Sequence, residues 1–381
     1  MTKTLTPPRR GRDLGLPFPG TPGPYNAITD VPGIHVGYAT IDRPTTAPGR
    51  WAKTGVTAIL PRGFAREPQP VWAGYHALNG NGEMTGTHWI DDGGYFVGPL
   101  CITNSHGVGI THHATVRWMI EHYAERWHHH HLWAMPVIAE TYDGVLNDIN
   151  GLHVREEDAL AAIRGARSGP LAEGNVGGGN GMICYEYKGG TGTASRRLSV
   201  DGRDYTLGVL VQANHGIRDW LQVLGVPLGE TLGDDHRLPG LDSERGSIIA
   251  VLATDAPMMP HQLRRLAKRA GLGIGRGGTP GGNNSGDIFL AFSTANPRPL
   301  PQLAEAHQAF AYLNDEVFDP FYLAAVEGVD EAIVNAMLAA EDAPTQRPRG
   351  GICKAICPDT LVELVTGRRR HRAQPEPSGT Q

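Results

Sequence analysis

The stretch Leu241–Leu263, LDSERGSIIAVLATDAPMMPHQL, decides how the rest of the chain is read. It begins polar and turn-like, passes through Gly246, and then runs from Ser247 to Thr254 as SIIAVLAT. A short apolar, β-branched run without polar alternation has the pattern of a strand buried on both faces. The next segment, PHQLRRLAKRAGLGIG, has the spacing of an amphipathic helix, with Gly271 expected to close it. The odd feature is the serine at the mouth of the strand, where an apolar residue is usual.

A serine there makes sense if the strand begins a new chain. An N-terminal serine carries a hydroxyl nucleophile and a free α-amine in one residue. That amine has a reference pKa of about 7.7–8.0, so an appreciable fraction is neutral near pH 7 and can accept the hydroxyl proton during attack. In an uncut chain the same nitrogen is an amide and is no base. Gly246, lacking a Cβ, tolerates a strained backbone and leaves its carbonyl open to the next hydroxyl. Self-cleavage at Gly246–Ser247 is therefore chemically allowed. An ordinary turn before a strand is the other reading of the pair.

Around this stretch the chain reads as strands early and helices between strands later. ITDVPGIHVGYATI, KTGVTAILPRG and GGYFVGPLCITNSHGVGI are strand-like and bounded by glycine or proline. HATVRWMIEHYAERW and REEDALAAIRG are helical. His112-His113 is expected to cap or precede the first of these, and Asp91-Asp92 to lie in a glycine-rich loop. WAMPVIAETYDGVLND, YTLGVLVQANHG and GDIFLAFSTAN are further strands, several ending in polar groups. The segment from Pro301 to Glu341 is expected to give two or three helices. Polar strand ends gathered at one edge of a sheet are where a cleft is built. The loop EGNVGGGNG precedes a strand and lacks Gly-Lys-Ser/Thr, so it is neither a dinucleotide nor a phosphate-binding motif.

The totals narrow the function class. The 381 residues are 40% hydrophobic and 19% charged, with a formal net charge of −5, which gives no reason to expect nucleic acid as a partner. No stretch approaches the ~18 apolar residues of a membrane span, and a soluble cytoplasmic protein is expected. Cys101, Cys184, Cys353 and Cys357 read as structural, since no second cysteine pair completes a zinc site. His128–His131 reads as an exposed tip after a helix end, without a metal. Residues 1–24 and 367–381 are expected to be tails, the latter disordered, flanking one domain over 25–366.

Seven blocks resemble, in order, the DmpA-type aminopeptidases, the L-aminopeptidase/D-esterase and β-peptidyl aminopeptidase family. They are DVPGIHVGYAT, TGVTAILPRG, PVIAETYDGVLNDIN, GNVGGGNGMICYEYKGGTGTASR, VLVQANHG, RGSIIAVLATDAPMMPHQLRRLAKRAGLGIGR and SGDIFLAFSTAN. The resemblance runs from about Tyr25 to Val365. It implies an α/β fold, the αββα sandwich of two central sheets covered by helices, similar in layering to N-terminal nucleophile hydrolases. It also implies a self-processing serine hydrolase, cut into 1–246 and 247–381.

By resemblance Ser247 is the nucleophile and Asn214 the oxyanion-hole residue. Glu140 receives the substrate's free amine, beside Tyr142, and Ser285 and Asp287 lie near the nucleophile's amine. Some members resemble Ser-X-Glu where this chain has Ser285-Gly286-Asp287, so the shorter acid leaves its reach open. The implied substrates are short peptides, amides or esters with a free amino terminus. The implied assembly is a homotetramer of processed subunits, with no metal or cofactor and no nucleic-acid or membrane partner. The rivals are an acyl-transfer enzyme of similar fold, which Ser247 in place of threonine argues against, a non-catalytic binding relative, and a metal hydrolase.

Overall fold

Two sheets carry the fold. One has four strands in the order β1 (His35–Pro44), β2 (Trp51–Leu60), β5 (Leu100–Asn104) and β6 (Val137–Thr141). The other has six, in the order β4 (Tyr95–Phe96), β3 (Val71–Ala77), β14 (Ile288–Ser293), β13 (Ser247–Thr254), β10 (Arg203–Asn214) and β9 (Gly190–Val200). Three hairpins pair β7 (Ile183–Cys184) with β8 (Tyr187–Lys188), β11 (Gln222–Val223) with β12 (Val226–Pro227), and β15 (Ala343–Gln346) with β16 (Arg349–Cys353). The helices are α1 (Thr87–Gly93), α2 (Val108–His122), α3 (Ala124–His129), α4 (Glu156–Arg164), α5 (Pro260–Gly275), α6 (Asp319–Leu338) and α7 (Pro358–Ala373). The computed structural model describes residues 10–232, 237–238, 244 and 246–373.

The order of layers follows from side-chain alternation along the strands. Ile249, Val251 and Ala253 of β13 join Leu210 and Leu290 of their own sheet and Ile59, Ile102 and Ala139 of the other in one core between the sheets. Ile248, Ala250 and Leu252 point the other way, onto Leu263, Leu266 and Ala270 of α5 and Phe321, Val329 and Ala332 of α6. On the far side, Val56, Ala58, Cys101 and Ile138 pack on Ala114, Trp118 and Met119 of α2 and Ala159 and Ile163 of α4. Helices, sheet, sheet, helices is the expected αββα sandwich. β13 is apolar at nearly every position because both its faces are buried, each large side chain contributing about 1.5–3 kcal/mol of transfer free energy.

Helix α5 shows how sequence sets a boundary. Pro260 occupies its first turn, where a missing N–H costs nothing. Gln262 Oε1 accepts the Met259 N–H at 2.8 Å. The helix passes Gly271 and ends at Gly275. Burial of Leu266, Ala270, Gly273 and Ile274 carries it beyond the expected stop.

Several local expectations are corrected. Asp91 and Asp92 lie on α1, not in a loop; the glycines after them end the helix, with Gly94 at φ +76° and its N–H on Ile90 O. His112 and His113 sit inside α2, and α3 runs through His128 to His129. Residues 301–341 hold one long helix, α6, and two 3-10 turns. Residues 10–24 are no tail: Leu16 and Phe18 are buried in the core, and Arg12 pairs at 2.9 Å with the buried Glu331. Glu331 lies 319 residues from Arg12, out of reach of any local pattern. Helix α7 continues past Gly367 to Ala373; the rest of the expected C-terminal tail lies outside the described residues. All four cysteines are free, and Cys101, Cys184 and Cys353 are buried. No described helix is long and apolar enough to cross a membrane.

Candidate active site

Ser247 shares strand parity with Ile249 and Val251, so its side chain faces the space between the sheets. Asn214 shares parity with Leu210 on β10 and is the antiparallel register partner of Ser247. Directly opposed residues on one face have Cβ atoms about 4.5–5.5 Å apart. The two buried polar side chains therefore stand side by side at the end of the apolar core. Gln212, one step inward, ties the sheets together there: its Nε2 donates to Thr103 O at 3.0 Å and Thr141 Oγ1 at 2.8 Å.

The segment leading into β14 closes on the nucleophile candidate. Gly286 N–H donates to Ser247 Oγ at 3.0 Å. Asp287 Oδ1 accepts the Ile248 N–H at 3.0 Å, so the shorter acid does reach the residue after Ser247. Burial pushes the Asp287 carboxyl up to about 6, against the lowering effect of the Ser285 hydroxyl and the Ile248 amide. Its Oδ2 has no well-aligned donor among the described residues. Ser285 is held from the other side by Asn79, whose Nδ2 donates to Ser285 Oγ at 3.0 Å.

Asn214 is fixed at both ends of its carboxamide. Oδ1 accepts the Ile183 N–H at 2.8 Å, and Nδ2 donates to the Tyr142 backbone carbonyl at 2.9 Å. The amide nitrogen carries a second hydrogen for another acceptor. Glu140, at the end of β6, is buried; Oε1 accepts the Glu83 N–H at 2.9 Å and Oε2 accepts from the Ser105 hydroxyl. Burial raises its carboxyl above the ordinary range, opposed by those two hydrogen bonds. The Tyr142 side chain is exposed, with its hydroxyl 3.4 Å from Arg347 Nη1.

The structure thus brings Ser247, Ser285 and Asp287 together through the segment leading into β14, with Asn214 beside Ser247 as its register partner on β10. Tyr142 joins them through its backbone, and Glu140 through a loop that the sequence reading passed over. That loop, Leu78–Glu83, places Asn79 on Gly282 O and Ser285, Asn81 on Asn284 O, and Glu83 on Glu140. Its signal was the turn-rich LNGNGE between β3 and α1. The Gly286 amide was missed as well, because a backbone donor leaves no mark in residue type. Among the described residues no group of three or more His, Cys, Asp or Glu could hold a metal ion.

This arrangement can present a hydroxyl to a carbonyl carbon, offer amide N–H groups to an oxyanion, and seat an amine among carboxylates. The model of peptidase family S58 matches residues 26–349. The chain is 50% identical over 351 residues to the β-peptidyl aminopeptidase BapA of Sphingosinicella microcystinivorans, covering 87% of this chain and 86% of that one. Its fold is similar, at a TM-score of 0.91 and 56% identity, to the L-aminopeptidase D-Ala-esterase/amidase of Ochrobactrum anthropi, described as a prototype of the serine aminopeptidases and a new variant of the Ntn hydrolase fold. That match covers 95% of this chain and 99% of the other. A β-aminopeptidase of Burkholderia sp. superposes at a TM-score of 0.85 with 42% identity, covering 96% of this chain and all of that one. With a buried serine opposite an asparagine at the edge of an Ntn-type sandwich, and a family match over most of its length, the chain belongs to peptidase family S58.

Proposed function

We propose that this serine aminopeptidase cuts its own chain between Gly246 and Ser247 and then uses Ser247 as an N-terminal nucleophile. The observation that carries the reading is the placement of Ser247 at the head of β13, opposite Asn214, with its Oγ on the Gly286 amide.

In processing, Ser247 Oγ attacks the Gly246 carbonyl carbon, and the C–N bond to Ser247 breaks as the C–O ester forms. The hydroxyl proton ends on the freed amine. Water then hydrolyses the ester, leaving a Gly246 carboxylate and the Ser247 hydroxyl. In turnover, the neutral α-amine takes the Ser247 hydroxyl proton, and Oγ attacks the substrate carbonyl. The Asn214 carboxamide donates to the oxyanion. The proton passes to the leaving amine or alcohol, and water releases the acyl group. On this reading Asp287, whose Oδ2 lacks an aligned donor among the described residues, accepts from the α-ammonium that processing creates, with Ser285 as its partner. Glu140 takes the substrate's ammonium, which restricts the enzyme to free amino termini, and Tyr142 lies at the rim.

Substrates on this reading are short peptides, amides or esters with small N-terminal residues. The enzyme works without metal or cofactor as a cytoplasmic homotetramer of processed subunits. The test is turnover of one amino-acid amide in free and N-acetylated form, for an α- and a β-amino acid. Hydrolysis confined to free amines supports the reading, and equal rates on the acetylated forms would remove Glu140 from its role.

A further inference from the structure

Glu244, three residues before Ser247, is a buried carboxylate that the mechanism above does not use. Burying a carboxylate is costly unless its oxygens are hydrogen-bonded. Here both are: Oε1 accepts the Gly216 N–H at 2.6 Å, Oε2 accepts the Gly282 N–H at 2.8 Å, and the Thr279 hydroxyl donates to Oε2 at 3.2 Å. The donors come from two different loops. Gly216 follows Asn214 at the end of β10, and Thr279–Gly282 leads into Ser285 and Asp287. The site is shaped to the carboxylate. A Cβ on Gly282 would stand 2.4 Å from Glu244 Oε2. One side chain on the acyl side of the Gly246–Ser247 bond thus joins the loop that follows Asn214 to the loop that leads into Asp287.

We infer that Glu244 is the positioning residue for self-processing: its carboxylate anchors the upstream arm to both loops and so holds the Gly246 carbonyl against the Ser247 hydroxyl. This rests on the self-processing reading. Glutamine is no substitute, because both oxygens accept from N–H groups and a glutamine NH₂ would face one of them.

The test follows the cutting of freshly made precursor on denaturing gels, for wild type, Glu244→Gln and Gly282→Ala, the last displacing the carboxylate from its other side. Each variant is checked for native folding by circular dichroism, and hydroxylamine is added in parallel to cleave any ester that has formed. Both variants are expected to fold, to cut on the order of 10²-fold more slowly, as loss of alignment by about 1 Å implies, and to gain nothing from hydroxylamine, because ester formation is the slowed step. If Glu244→Gln does not fold, Glu244→Asp, with both acceptors withdrawn by one methylene, is read in the same way. Folded variants that cut at the wild-type rate overturn the inference and leave self-processing standing. Variants slowed but rescued by hydroxylamine also overturn it, since attack would then be intact. A wild-type chain that never cuts overturns self-processing itself and this inference with it.

Discussion

Replacing Gly246 by alanine tests the geometry of the junction. An added Cβ would stand 1.8 Å from the backbone oxygen of Asn214, 2.8 Å from its carbonyl carbon and 3.1 Å from His215 Cα. All three neighbours are backbone at the end of a paired strand, so no side chain can swing away. Reaching even a 3.0 Å separation requires the arm before β13, or the end of β10, to move by more than about 1 Å. Overpacking of this kind costs about 1–3 kcal/mol. The kinetic effect should be larger, because a shift near 1 Å at reacting groups costs on the order of 10²-fold in rate. Gly246→Ala should therefore fold and remain uncut over times in which wild type is fully processed. The assay is a denaturing-gel time course resolving the 40.9 kDa chain from its two pieces, about 26 and about 14 kDa if mass follows length. Gly109→Ala, on α2 with nothing within 4 Å of the new Cβ, is the matched control and should process normally. Wild-type processing by Gly246→Ala would refute the claim that Gly246 must pack against Asn214 for the cut.

Further outcomes follow from the same site. With Asn214 as the proposed oxyanion donor, Asn214→Ala should lower kcat on a chromogenic amide by roughly 10²–10³-fold. With Glu140 as the proposed partner of the substrate ammonium, N-acetylation of a substrate should cost about 2–5 kcal/mol in kcat/KM. Activity should rise with pH through the pKa of the Ser247 amine, since only the neutral amine is a base. A neighbouring carboxylate favours the ammonium and raises that pKa, so Asp287→Asn should move the rising limb to lower pH by about one unit or more; an unmoved profile would make Asp287 structural only.

What was legible in the sequence was legible through pattern and resemblance. SIIAVLAT announced a strand buried on both faces, and it lies at the centre of the six-stranded sheet between α5 and the second sheet. The polar ends of β6 and β10 marked candidates, and the fold brings two of them together: Asn214 Nδ2 donates to the Tyr142 carbonyl. What was hidden depends on distance in the chain or on backbone. Ser247 receives its hydrogen bond from Gly286 N–H, 39 residues on. Asn79 and Glu83 act through a loop whose glycines and asparagines looked like any turn. Glu244 sat in the polar, turn-like start of the quoted stretch, where nothing in the sequence singled it out. Only the fold brings Gly216 and Gly282 to its two oxygens. Arg10 and Arg12 likewise fell within the expected N-terminal tail, and only the fold brings Glu173 and Glu331 to them.

Intact-mass measurement of the purified, active protein shows whether Ser247 becomes a chain terminus. Two polypeptides are expected, one ending at Gly246 and the other beginning at Ser247, with a single uncut, inactive chain for Ser247→Ala. Full activity from one chain of 40.9 kDa would contradict this.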